Sequence, residues 1–234
     1  MGRKPGNPCV GILRRNESRL SISRPVHTEF QRSALVLHDR SAAEAEVRHR
    51  GSCADFFDHV KKRSHHRFVL SPIDFQKREH KSPEFLKINP AGKLPALVDG
   101  DSRIFEGAAI CLYLGDKFPQ AKLAPQIGAP ERGRYLSLMV YSTSQLEPAM
   151  GDALLKAQHL PQRGWTNFET AKDVIEGELG DGPHLFGDWF TAADVMIGSM
   201  FIWKRIWGGP PDRPKLEAYV DRLLQRPTAM KMSG

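Results

Sequence analysis

The stretch at residues 89–101, NPAGKLPALVDGD, constrains this chain more than any other. Its apolar run, Leu94-Pro95-Ala96-Leu97-Val98, reads as a strand with a proline near its start. Proline has no N–H to give to a sheet ladder, so it is confined to edges, strand starts and bulges. Asp99-Gly100-Asp101 is a turn signal, and Arg103-Ile104-Phe105 is a second short apolar run. Turn and spacing together predict a β-hairpin. A helix is predicted to start at Glu106, with Ala109, Ile110, Leu112, Tyr113 and Leu114 on its buried face.

Upstream, Ala34–His38 is a short strand. Ser52 and Asp55 form a capping box ahead of Cys53, Phe56, Phe57 and Val60, which fall at helical spacing. Arg67–Phe75 reads as a further strand. Ser82-Pro83-Glu84 opens a short helix, with serine as cap and proline in the first turn. That helix stops at Asn89-Pro90, because a residue before proline avoids the helical region. The order is therefore β-α-β-α-β-β-α. Residues 118–130 hold Pro119, Pro125, Gly128 and Pro130, a linker by composition. Beyond Glu131 strand signals cease. Helices are predicted near Glu131–Met150, Arg163–Leu179, Thr191–Trp207 and Pro214–Leu224. The fold class is a small α/β domain over residues 34–119, a linker over 120–130 and an all-helical domain over 131–234.

Residues 1–33 show no clean period and read as a basic extension, with a transit peptide as one explanation and a misplaced start codon as another. The chain has 234 residues and a net charge of +7. Residues 1–66 carry 13 Lys and Arg against 7 Asp and Glu, whereas the remainder is nearly balanced with 21 against 20. A basic excess confined to one quarter argues against a nucleic-acid partner. No apolar run approaches the ~18 residues of a membrane span. Three cysteines, Cys9, Cys53 and Cys111, are too few for a disulfide framework and suit a reducing compartment.

The order of elements, with a proline at the third strand, resembles the glutathione S-transferase family, cytosolic type. The resemblance covers roughly residues 67–229. It is carried by EHKSPEFLKINPAGKLPALVDGDSRIFEGAAICLYLGDKFP, by LFGDWFTAADVMIGSMFIW and by LEAYVDRLLQRP. It implies a thioredoxin-like N-terminal domain, a helical C-terminal domain, a homodimer and a cytoplasmic location. It also implies glutathione as co-substrate, a small hydrophobic electrophile as the second partner, and no metal. In the family the proline is cis, and the backbone before it pairs with the cysteinyl part of glutathione like an added strand. That assigns Leu94 and Pro95. Glu106 and Gly107 match the positions that hold the γ-glutamyl end, although the family has serine or threonine where this chain has Gly107. His80 and Lys93 match positions that grip the glycine carboxylate, where charge-assisted bonds are needed. Thr191 and Asp194 match a capping box. Met196, Met200, Phe201 and Trp203 are then core. Tyr135, Met139 and Tyr141 either line the electrophile site or pack in the core.

The catalytic group of the family is a Tyr, Ser or Cys after the first strand, where it helps to make the thiolate of glutathione. Here that region departs from the pattern. Ser52 and Cys53, in Gly-Ser-Cys at the start of the amphipathic helix, are the catalytic candidates, and Ser41 is the alternative if the strand is Ala34–His38. A serine there points to conjugation and Cys53 to thiol–disulfide exchange. A catalytically silent binding protein of the same fold is the third reading.

Overall fold

The computed structural model describes residues 73–158, 160 and 162–226, together with Val60, Lys62 and Ser71. The extension over 1–33, the strand at Ala34–His38, Ser41, and the capping box with Ser52 and Cys53 lie outside the described residues. Val60 is helical and fully buried, as its place on an apolar face requires.

Strand β1 (Ala96–Asp99) pairs antiparallel with β2 (Ser102–Phe105), Ala96 facing Phe105 and Asp99 facing Ser102. Gly100 turns the chain at φ +57°, a conformation that glycine takes at little steric cost. The hairpin matches expectation, but its first strand begins two residues after Leu94. The bond between Leu94 and Pro95 is cis. Helix α1 (Pro83–Leu86) is capped by Ser82, whose hydroxyl accepts the Phe85 N–H at 3.2 Å. Phe85 and Ala96 are buried together with Ile73, Ile88 and Leu94 against them.

The strand expected over Arg67–Phe75 is not continued in its described part. Ile73 and Asp74 join no ladder, and Phe75 begins a turn. Asp74 is the cause: its carboxylate accepts the N–H groups of Gln76 and Lys77 at 2.9 and 3.2 Å. An Asx turn of this kind competes with strand pairing.

Helix α2 (Gly107–Lys117) buries Ala108, Ile110, Cys111, Leu114 and Gly115. The expected face was rotated from this one, since Ala109, Leu112 and Tyr113 are only half-buried. Gly115 explains the rotation: a Cβ there would stand 3.0 Å from Ala124 Cβ, so the helix seats its small residues on the following segment. Tyr113 is turned outward, and its hydroxyl donates to Asp99 at 2.8 Å. The segment read as a linker is itself packed. Ala121, Leu123 and Ala124 are buried, and the Ala192 N–H donates to the Leu123 carbonyl at 2.8 Å.

Helix α3 (Arg132–Tyr141), a π turn (Ser142–Leu146) and α4 (Glu147–Leu154) form one rod where the sequence predicted a single helix. The wide turn, closed by the Glu147 N–H on the Ser142 carbonyl, sets Pro148 into the first turn of α4, where a missing N–H does no harm. Helix α5 (Phe168–Leu179) starts five residues later than predicted, because Asn167 caps it by accepting the Thr170 N–H at 2.9 Å. Helix α6 (Ala192–Ile206) is buried on nearly every side, and α7 (Pro214–Leu224) packs across it. The two helices meet at Gly198, where a Cβ would come within 2.1 Å of Leu223 Cδ1. Met196 and Phe201 are core as expected, whereas Met200 and Trp203 are only half-buried.

Candidate binding site

Hairpin register builds the site. Because Ala96 pairs with Phe105, the residues just before β1 and just after β2 lie at the same end of the hairpin. Those residues are Lys93, Leu94 and Pro95 on one side, and Glu106 and Gly107 on the other. Leu94 lies beyond the last pair of the ladder, so its backbone belongs to no strand pair of the hairpin.

Glu106 is the N-cap of α2 and has φ +70°, ψ 127°. A non-glycine residue at positive φ is a strained conformation, costing about 1–3 kcal/mol. Its carbonyl accepts the Ile110 N–H at 3.0 Å, its carboxylate caps nothing, and the residue is exposed. Gly107 opens the helix, where the first N–H groups have no partner within the helix and the dipole favours an anion. Glu147, in the first turn of α4, feels the Glu106 charge. Its carboxyl is pushed above the usual carboxylate range, by loss of hydration first and by Glu106 second. Sequence alone offered no signal for this approach of α4 to α2.

Asn89 is a second residue that the sequence reading did not single out. It is buried, with Nδ2 donating to the Lys93 carbonyl at 2.8 Å and Oδ1 accepting the Ala91 N–H at 3.0 Å. It fixes the loop that delivers Lys93 and Leu94. The Asn-Pro dipeptide was its available signal, read only as a helix stop.

His80 stacks on Phe75 with ring centroids 4.4 Å apart. Gly92, at φ +59°, brings the loop before β1 against the His80 turn: a Cβ on it would lie 2.7 Å from the His80 carbonyl oxygen. This contact sets the turn that carries His80 beside the loop that carries Lys93. Loss of hydration, then Lys81, Arg78 and Lys93, hold the His80 pKa below the ordinary histidine value. Tyr135 and Met139 are fully buried and belong to the core. Tyr141 is half-buried at the π turn. Among the described residues no cluster of three or more His, Cys, Asp or Glu could hold a metal ion, and no helix is long and apolar enough to cross a membrane.

Comparison with known proteins identifies the family. The glutathione S-transferase N-terminal domain model matches residues 65–116, and the C-terminal domain model matches residues 158–222. Glutathione S-transferase F10 of Arabidopsis thaliana is 30% identical over 191 residues, covering 71% of this chain and 85% of that protein. Glutathione S-transferase 1 of Zea mays is 29% identical over 182 residues, covering 71% and 84%. Among solved structures, a glutathione transferase from Methylococcus capsulatus is similar with a TM-score of 0.63 at 23% identity, over 84% of this chain and 94% of that one. A sphingomonad glutathione S-transferase complexed with glutathione is 30% identical with a TM-score of 0.50, over 63% of this chain and 75% of that one. The chain belongs to the glutathione S-transferase family, with a thioredoxin-like domain followed by a helical one.

Proposed function

We propose that the chain binds glutathione at this end of the hairpin and transfers its thiolate to a small hydrophobic electrophile. The observation that carries the reading is the hairpin register, which sets Leu94, outside the hairpin ladder, at the same end as the helix N-terminus at Glu106 and Gly107. One end suits a peptide backbone and the other suits an amino-acid head group. Leu94 exchanges backbone hydrogen bonds with the cysteinyl residue of glutathione, and Pro95 follows it into β1. Glu106 accepts from the γ-glutamyl ammonium, and the Gly107 N–H donates to the neighbouring carboxylate. His80 and Lys93 take the glycine carboxylate. The solved sphingomonad relative complexed with glutathione supports this ligand.

In the reaction the thiol proton leaves to solvent, the sulfur forms a bond to the electrophilic carbon, and with an aryl halide the halide departs with its electron pair. Ser52 or Cys53 would assist the thiolate. The same reading makes the protein a cytoplasmic homodimer of two domains, 34–119 and 131–234, joined at 120–130.

The test is retention on immobilised glutathione followed by conjugation of a chromogenic aryl halide. Retention with turnover supports the proposal, and failure to bind overturns it. Gly107 favours a second reading, a binding protein without turnover. Without a hydroxyl there the ligand loses one hydrogen bond, worth about 0.5–1.5 kcal/mol. Retention without turnover selects it.

A further inference from the structure

We propose that residues 183–190 form an acid-released latch: a proton taken up by His184 frees this loop from helices α6 and α7 and from the segment between α2 and α3. Glutathione plays no part in it.

The loop is fastened on three sides. On the α7 side, Arg222 Nε donates to the Pro183 carbonyl at 3.2 Å, and the Arg226 guanidinium lies over the Phe190 ring, 3.3 Å from its centroid. On the α6 side, Asp194 accepts the Leu185 N–H at 2.9 Å. Toward the segment between α2 and α3, the Trp189 indole N–H donates to the Lys122 carbonyl at 2.6 Å. Within the loop, His184 and Gly187 exchange backbone hydrogen bonds of 3.0 and 3.2 Å. Gly182 is held so close to this turn that a Cβ on it would stand 2.6 Å from Gly187 Cα. His184 thus sits in the tightest part of the loop, one residue before the N–H that Asp194 holds.

Histidine is the side chain that changes charge near neutral pH. The His184 ring stands edge-on to Phe190, with centroids 5.4 Å apart at 77°. Its Nδ1 is buried and has no hydrogen-bond partner. A neutral imidazole tolerates this place with its proton on Nε2 and a bare lone pair on Nδ1. An imidazolium would bury an N–H donor there without an acceptor. The buried acid of α6 cannot supply one. A carboxylate has room for about four donors, and Asp194 already accepts the N–H groups of Leu185 and Thr191 and the hydroxyls of Thr191 and Tyr219. Loss of hydration is the largest influence on His184. Asp194 and Asp188 favour its proton, Arg226 and Arg222 oppose it, and the His184 pKa lies below the ordinary histidine value. Opening the loop lets water reach both ring nitrogens, so the open form binds the proton more tightly. The latch holds fully above the open-state pKa and weakens as pH falls through that value toward the closed-state one.

Native-state hydrogen exchange of the full chain, followed by NMR between pH 7 and pH 5, tests the latch once each amide is corrected for its intrinsic pH dependence. Protection of the Leu185 and Thr191 amides, which donate to Asp194, should fall about tenfold over this range, the effect of a proton admitted to the open loop and excluded from the closed one. Protection of the Ala171 amide in α5 should hold. In His184→Gln the Leu185 and Thr191 amides should stay level as well. Titration of the imidazole protons should place the His184 midpoint below the ordinary value of ~6.5. Where His184→Gln does not fold, the exchange and the midpoint of the parent decide. Level protection of Leu185 in the parent means that the ring can charge without opening the loop, and it overturns the inference. So does an equal fall in parent and variant, a fall that Ala171 shares in full, or a His184 midpoint at or above ~6.5.

Discussion

Replacing Asp194 tests how the helical domain is held together. The side chain is fully buried in the first turn of α6. One carboxylate oxygen accepts the Leu185 N–H at 2.9 Å and the Tyr219 hydroxyl at 3.0 Å. The other accepts the N–H of Thr191 at 2.9 Å and the Thr191 hydroxyl at 3.3 Å. A simple N-terminal cap costs about 0.5–2 kcal/mol to remove. Asp194→Ala does more, since it leaves the N–H groups of Leu185 and Thr191 and the Tyr219 hydroxyl buried without this acceptor. Each unpaired group costs about 1–3 kcal/mol, and relief of carboxylate burial offsets part of the sum. The expected loss is about 3–5 kcal/mol, a large share of the roughly 5–15 kcal/mol that holds a domain folded. Tyr219→Phe removes one donor and strands no other, so it should cost only about 1–3 kcal/mol. Urea unfolding followed by circular dichroism measures both variants against the parent. A loss below about 1 kcal/mol for Asp194→Ala, or equal losses for the two variants, refutes the network. Where the Asp194 variant remains folded, its glutathione affinity should stay near that of the parent.

Three further outcomes are expected. Glu106→Ala should weaken glutathione binding by roughly 1–3 kcal/mol by calorimetry, because the ligand ammonium loses a charged partner, while Glu106→Gly should show the same loss with a gain in urea stability from relief of positive φ. Ser52→Ala should slow aryl-halide conjugation about 10²-fold if its hydroxyl polarises the sulfur; if Cys53 is the working thiol, Cys53→Ser should instead abolish disulfide reduction and the mixed disulfide with glutathione seen by mass spectrometry. Glu147 has a folded pKa above its unfolded one, so its ionised form works against folding, and the stability of the parent relative to Glu147→Gln should rise as pH falls from 7 to 5 in parallel urea titrations.

The features legible in the sequence are those fixed by near neighbours. The hairpin follows from Asp99-Gly100-Asp101 between two apolar runs, the α1 cap from Ser82-Pro83, the α6 capping box from Thr191 and Asp194, and α7 from Pro214. Each needs only residues within a few positions. Features that depend on distant packing were misplaced or unseen. The apolar content of residues 67–75 resembled a strand, but Asp74 diverts the chain into a turn. The face of α2 was rotated because Gly115 seats on Ala124, a contact that helical periodicity does not contain. The placement of Leu94 and Glu106 at one end of the hairpin was readable in advance, because a two-residue turn sets the register.

Glu106 and Gly107 stand in the reverse of the order that stability alone would select. The positive-φ position is the one before α2, and glycine would occupy it with little strain. Glycine is present one residue later, in the first turn of the helix, where any residue is accepted. The strained position carries a glutamate at φ +70° instead. Its carboxylate makes no cap bond that would repay the strain locally. Attraction to the helix dipole contributes about 0.3–1 kcal/mol at an exposed site, less than the roughly 1–3 kcal/mol of the backbone conformation. Folding energetics therefore do not account for the acid. The proposed function supplies a requirement from outside the fold: a carboxylate held at the hairpin end, beside the helix N–H of Gly107, would present one acceptor and one donor to a group that carries both an ammonium and a carboxylate. On the proposed function the γ-glutamyl end of glutathione is such a group, and the strain would hold the acceptor where that group enters.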